Sequence, residues 1–118
     1  MTIEICTNSL QSALNAQQAG ANRIELCSEL SIGGITPSAA TIALVRKQLE
    51  IDVFVLIRPR GGNFCYTDLE FEIIQEEIKQ PLLIDHKKCV LRIWLVLIDN
   101  SFYLSSNGVI VIHEKKYE

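Results

Sequence analysis

The spacing of apolar residues changes period several times along the first 80 positions. Ile3-Glu4-Ile5-Cys6 alternates apolar and polar side chains, and Arg23-Ile24-Glu25-Leu26-Cys27 does the same, so both segments read as short strands. Between them Leu10, Ala13 and Leu14 fall on one helical face, with Asn8 or Ser9 as the cap and Gly20 as a left-handed stop. Ala39, Ile42, Val45 and Leu49 recur at helical spacing after Thr36-Pro37, which predicts a helix opened by a threonine cap and a first-turn proline. Asp52-Val53-Phe54-Val55-Leu56-Ile57 is apolar at successive positions, as expected of a parallel strand covered on both faces. Thr67-Asp68-Leu69-Glu70 has the form of a capping box, and Phe71, Ile74 and Ile78 give the third helix its stripe. The order is βαβαβα, and each connection is long enough for a right-handed parallel crossover.

Beyond Lys79 the pattern changes. Pro81 is expected to end the third helix, and Val90 to Ile98 reads as a buried strand interrupted by Arg92. Phe102–Leu104 and Val109–Ile112 flank Ser105-Ser106-Asn107-Gly108, where Asn-Gly signals a hairpin. Antiparallel turn chemistry after a clean βα repeat is a local inconsistency. The chain is therefore divided into a βαβαβα part, 1–80, and a divergent hydrophobic tail, 81–118.

Composition narrows the functional classes. A chain of 118 residues, 48% hydrophobic and 21% charged, suits one domain with a real core. A net charge of −3 argues against nucleic acid or an anionic membrane as partner, since both call for a basic face. No apolar stretch approaches the roughly 18 residues of a membrane span, and Met1-Thr2-Ile3-Glu4 lacks the start of a secretory signal. A cytoplasmic location is expected, with Cys6, Cys27, Cys65 and Cys89 as free thiols or metal ligands before disulfides.

Four segments, taken in order, carry a family resemblance. They are Glu4-Ile5-Cys6, Arg23-Ile24-Glu25-Leu26-Cys27, Gly33-Gly34-Ile35-Thr36-Pro37-Ser38 and Arg58-Pro59-Arg60-Gly61-Gly62-Asn63-Phe64-Cys65-Tyr66. Together they resemble the CutC family of copper homeostasis proteins over roughly residues 2 to 80. The resemblance implies a (β/α)₈ or TIM-type barrel, here a partial one of three βα units with a strand-rich tail, and a cytoplasmic role with copper as partner. Asn63 stands where the family usually has aspartate. Such a barrel needs about 200 to 250 residues, and residues 81–118 do not resemble the family's fourth βα unit. A frameshift or early stop is the expected cause.

Within that frame the strand ends carry the candidate chemistry. Cys6 and Cys27 each follow a glutamate by two residues, so Glu4 shares a face with Cys6 and Glu25 with Cys27. Two thiolates at adjacent strand ends could hold Cu(I), which selects soft sulfur ligands; the plainer reading is two small core side chains. Glu4, Glu25 and Arg58 are expected at one rim, either as the base and clamp of a barrel enzyme of unknown substrate or as an ion-pair network. Arg58 and Arg60 beside Gly61-Gly62 could hold an anion, or the glycines simply turn the chain. A third alternative is a non-functional truncated fragment: an unpaired edge on the third strand invites self-association into homo-oligomers, unless the tail pairs with it.

Overall fold

The structure, a computed structural model, describes residues 1–83, 89–95 and 109–114. Five strands and three α-helices alternate along the chain: β1 (Glu4–Thr7), α1 (Leu10–Gln18), β2 (Arg23–Leu26), α2 (Ala39–Gln48), β3 (Asp52–Ile57), α3 (Asp68–Leu83), β4 (Cys89–Leu95) and β5 (Val109–Glu114). A single 3₁₀ turn, Leu30–Ile32, lies between β2 and α2. The strands form one sheet in the order β1-β2-β3-β4-β5, and all four pairings are parallel. No described helix is long and apolar enough to cross a membrane.

Local chemistry accounts for most of the boundaries. Ser9 caps α1: its side chain accepts from the Ser12 amide, and Ser12 accepts in return from the Ser9 amide. Gly20 follows that helix with a φ of 95°, the conformation that glycine adopts without cost. Thr67 and Glu70 form the expected capping box at the start of α3. The cap of α2 is Ser38 rather than Thr36, because the Ser38 hydroxyl is the one that reaches the Thr41 amide at 3.2 Å. Thr36 is instead committed to the backbone of Arg58. Helix α3 also continues past Pro81 to Leu83.

The two faces of the sheet differ in character. One is covered by the helices and holds the core, in which Ile24, Leu26, Val53, Val55, Ile57, Leu91 and Ile93 pack against Ala13, Ile42, Val45, Leu49, Ile74 and Ile78. The other carries Glu4, Cys6, Arg23, Glu25, Phe54, Leu56 and Arg92, which the parallel register places side by side. This is the division of a (β/α)-barrel wall, with helices outside and a functional face within.

The edge of β3 is not open. β4 pairs with it over Val53–Ile57, and β5 extends the sheet by six further residue pairs. The two described strands of the tail continue the parallel pattern. The Asn107-Gly108 hairpin, its strand Phe102–Leu104 and the end of the expected strand, 96–98, lie outside the described residues. β5 itself runs parallel to β4, its described neighbour.

Candidate functional site at the inner face and upper rim

The parallel register decides which polar side chains meet. Glu4 stands opposite Arg23, and Cys6 opposite Glu25. Glu4 accepts from Arg23 Nε at 3.2 Å and from Arg92 Nη1 at 2.6 Å. Arg92 also donates to Glu25, so one guanidinium joins carboxylates from β1 and β2 to β4. Both Arg23 and Arg92 lie over the ring of Phe54, at 4.5 and 4.8 Å from its centroid. Burial works to raise the Glu4 carboxyl, but the bonds and charges of Arg92 and Arg23 outweigh it and hold Glu4 below the usual carboxylate range.

Arg58, expected beside those carboxylates, lies elsewhere. Its guanidinium donates to the carbonyls of Ile32 at 3.0 Å, Gly34 at 2.8 Å and Gly62 at 2.8 Å, and stacks on Phe64. The β-strand ends one residue earlier, so Arg58 leaves the sheet and ties two rim loops together. Arg60 has a similar role. It forms a fork with Glu70 at 2.7 and 3.0 Å and donates to the carbonyls of Gly61, Asn63 and Cys65. Both arginines hold the loop in place, and this bonding disfavours the anion-binding alternative. Asn63 Oδ1 accepts from the Cys65 amide, so the amide side chain supplies the oxygen that a loop of this shape requires.

Cys6 and Cys27 emerge at the C-terminal ends of adjacent strands. The Cys27 amide donates to Thr7 O at 3.0 Å, which continues the β1–β2 ladder one step beyond β2. Cys6 is exposed, whereas Cys27 is 2% exposed and lies under the loop that contains Gly34. A Cβ at Gly34 would come within 3.2 Å of Cys27 Sγ and 3.0 Å of Leu56 Cδ2. Burial, then the charges of Glu25 and Cys6, push the Cys27 thiol up to about 11; burial, Glu25 and Glu4 raise Cys6 as well, with Arg92 opposing. Both shifts favour the protonated thiol, so a metal would have to displace protons to bind either sulfur. Among the described residues no group of three His, Cys, Asp or Glu side chains is placed to hold a metal. Thiol sulfur is a soft ligand, of the kind that monovalent copper selects over hard ions. The side chains of His86, Cys89, Trp94 and His113 lie outside the described residues.

Sequence reasoning missed Arg92 as a site residue, although it is the connection between three strands. Its signal was present: a single charge in the nine-residue apolar run Val90–Ile98 has to face a partner when buried. Glu77, half-buried against Thr36, was missed too, because nothing in the sequence of its helix distinguishes it from the exposed Glu72 and Glu76.

A parallel sheet with helices on one side and a polar face on the other defines part of a (β/α)-barrel. The CutC family profile matches residues 1–94, and the chain belongs to that family. The human copper homeostasis protein cutC homolog is 51% identical over 77 residues, covering 65% of this chain and 28% of the relative. A CutC family protein of Citrobacter koseri is 51% identical over 77 residues, covering 65% and 31%. A crystal structure of a copper homeostasis protein CutC from Streptococcus agalactiae superimposes with a TM-score of 0.69 at 37% identity, over 80% of this chain and 47% of that one. The chain thus spans about a third of the length of the curated relatives it matches. The family profile continues through most of β4, beyond the residues on which the resemblance was first read.

Proposed function

We propose that this copper homeostasis family member takes up Cu(I) between Cys6 and Cys27 and acts in the cytoplasm, where thiols stay reduced. The observation that carries the reading is the emergence of both sulfurs at the C-terminal ends of adjacent parallel strands, on the face opposite the helices. That is the end where barrels of this type build their sites. The names of the human and streptococcal relatives support copper as the cargo. Replacing both cysteines by serine should abolish tight Cu(I) binding in competition with a chromogenic Cu(I) chelator; undiminished affinity in the double variant sinks the assignment.

The reading as an enzyme with a Glu/Arg site has less support. Glu4 and Glu25 are each engaged by Arg92, and Arg58 is spent on backbone carbonyls. An ion-pair network that shapes the inner face accounts for Glu4 and Glu25, and support of the rim loops accounts for Arg58. The outer sides of β1 and β5 are the two edges of the described sheet, and self-association through them is part of this proposal. Sedimentation velocity that returns a monomer at all concentrations removes that part.

A further inference from the structure

The two sulfurs of the copper assignment differ in how they can be reached. Cys6 is exposed, whereas Cys27 is 2% exposed. The cap over Cys27 belongs to the segment 28–36. Ser28 and Ile35 exchange backbone bonds of 2.9 and 2.8 Å, which fold this segment back on itself. The Thr36 amide donates to Arg58 O, and the Arg58 guanidinium donates to the carbonyls of Ile32 and Gly34. Gly34, held in this way, lies so close to Cys27 that a Cβ on it would come within 3.2 Å of Sγ. Beneath the cap Cys27 Sγ donates to Thr7 O at 3.6 Å, so its proton is engaged inside the protein.

Monovalent copper is carried by soft sulfur ligands, so a thiol-rich compartment presents it as a thiolate complex and not as a bare ion. Such a donor is too bulky to pass a closed cap, but Cys6 is open to it. The polar face around Cys6 does not repel an anionic complex, because Glu4 and Glu25 are matched by Arg23 and Arg92. The geometry points to an ordered handover: Cys6 takes Cu(I) from a small soluble bis-thiolate complex, and Cys27 completes the site second, once the 28–36 cap has lifted. This order rests on the copper assignment above and adds to it the class of donor and the residue of entry.

Each step exchanges one sulfur for another. The Cys6 sulfur bonds to copper, one donor sulfur leaves, and the Cys6 proton departs with it as free thiol. Copper is then shared between Cys6 and the remaining donor thiolate. Cys27 gives up its bond to Thr7 O, displaces that thiolate and passes its own proton to it. Copper stays monovalent throughout, and no electron is transferred.

The test uses the full chain with Cys65 and Cys89 replaced by serine, and the Cu(I) complex of glutathione as donor. Native mass spectrometry follows the species, and urea unfolding confirms that each variant is folded in the assay. The parent should gain one copper with one glutathione and then lose the glutathione. Cys27→Ala, close in size at the buried position, should stop at the adduct with copper and one glutathione. Cys6→Ser should load about tenfold more slowly or worse, since entry then waits for the cap to open. Adding Gly34→Ala to Cys6→Ser should return part of that rate by lifting the cap, and no return would remove the cap from the scheme. A Cys6→Ser protein that loads at the parent's rate overturns the order, as does a Cys27→Ala protein that forms no adduct while the parent still loads. A parent that takes up no copper fails on the assignment of the site itself, and the order falls with it.

Discussion

Arg92 Nη1 on β4 lies 2.6 Å from Glu4 Oε1 on β1, although two strands stand between them in the sheet. In a flat sheet β1 and β4 would be separated by three strand spacings of about 4.8 Å, roughly 14 Å in all. Two extended side chains reach across that only when the sheet curls toward the face they occupy. The ion pair and the curvature therefore support one another. The residues that shape the inner face are the same ones that bend the wall.

Removing the guanidinium should cost more than a surface salt bridge. Arg92→Met keeps the length of the side chain and its packing on Phe54, but leaves Glu25 without its described partner. The Arg92, Glu4 and Glu25 side chains are 13%, 20% and 15% exposed, so water replaces the lost bonds poorly. Urea unfolding should show a loss of about 2–3 kcal/mol. A loss within error of zero would mean that the network contributes nothing to stability.

Acid should act through the same cluster. The folded-state value of Glu4 is lowered, so its contribution is fully present above its unfolded value of about 4.3 and is lost as pH falls through the folded value. Wild-type stability should decline over that interval, and the decline should be shallower in Arg92→Met, where the main partner is gone. Unfolding midpoints collected from pH 2 to 6 for both proteins test this; parallel curves refute it.

The elements of the first 80 residues were legible because each obeys one clear period with a cap at its start. The Ser9, Thr67 and Gly20 signals all read correctly, since capping depends on residues within a single turn. Thr36 read wrongly for the opposite reason. Its partners are Arg58 and Glu77, residues 22 and 41 positions away, and no local pattern encodes such bonds. Arg58 was misplaced because strand alternation carries no information past the strand's last residue. The parallel strand β5 was hidden behind an Asn-Gly pair, a turn signal that says nothing about which strand pairs with which.

Gly34 offers a direct probe of the cap on Cys27. Its φ of 91° is unfavourable for any residue with a Cβ, and the added atom would press on Leu56 and Cys27. Gly34→Ala should cost about 1–3 kcal/mol and should speed the labelling of Cys27, because the loop lifts to relieve the contact. A destabilised protein whose Cys27 stays protected would show that the loop is strained but does not control access.

Glu25 faces two requirements, one as partner of Arg92 and one as the carboxylate opposite Cys6, and a single substitution separates them. Burial is the largest influence on the Cys6 thiol, followed by the negative charges of Glu25 and Glu4, with Arg92 acting in the opposite sense. Glu25→Gln removes one negative charge and frees Arg92 from one of its carboxylates, and both changes favour the thiolate. Half a pK unit of lowering makes alkylation roughly threefold faster at a pH below the thiol's own value. Cys6 should therefore react with iodoacetamide at pH 8 about threefold faster or more in Glu25→Gln, with Cys65 and Cys89 replaced by serine. Proton competition for the sulfurs weakens at the same time, so the pH dependence of Cu(I) uptake should become less steep. Faster alkylation with unaltered copper binding would place the carboxylate beside Cys6 but leave Cys6 outside the metal site. An unaltered alkylation rate would contradict the pairing of Cys6 with Glu25 across the β1–β2 ladder.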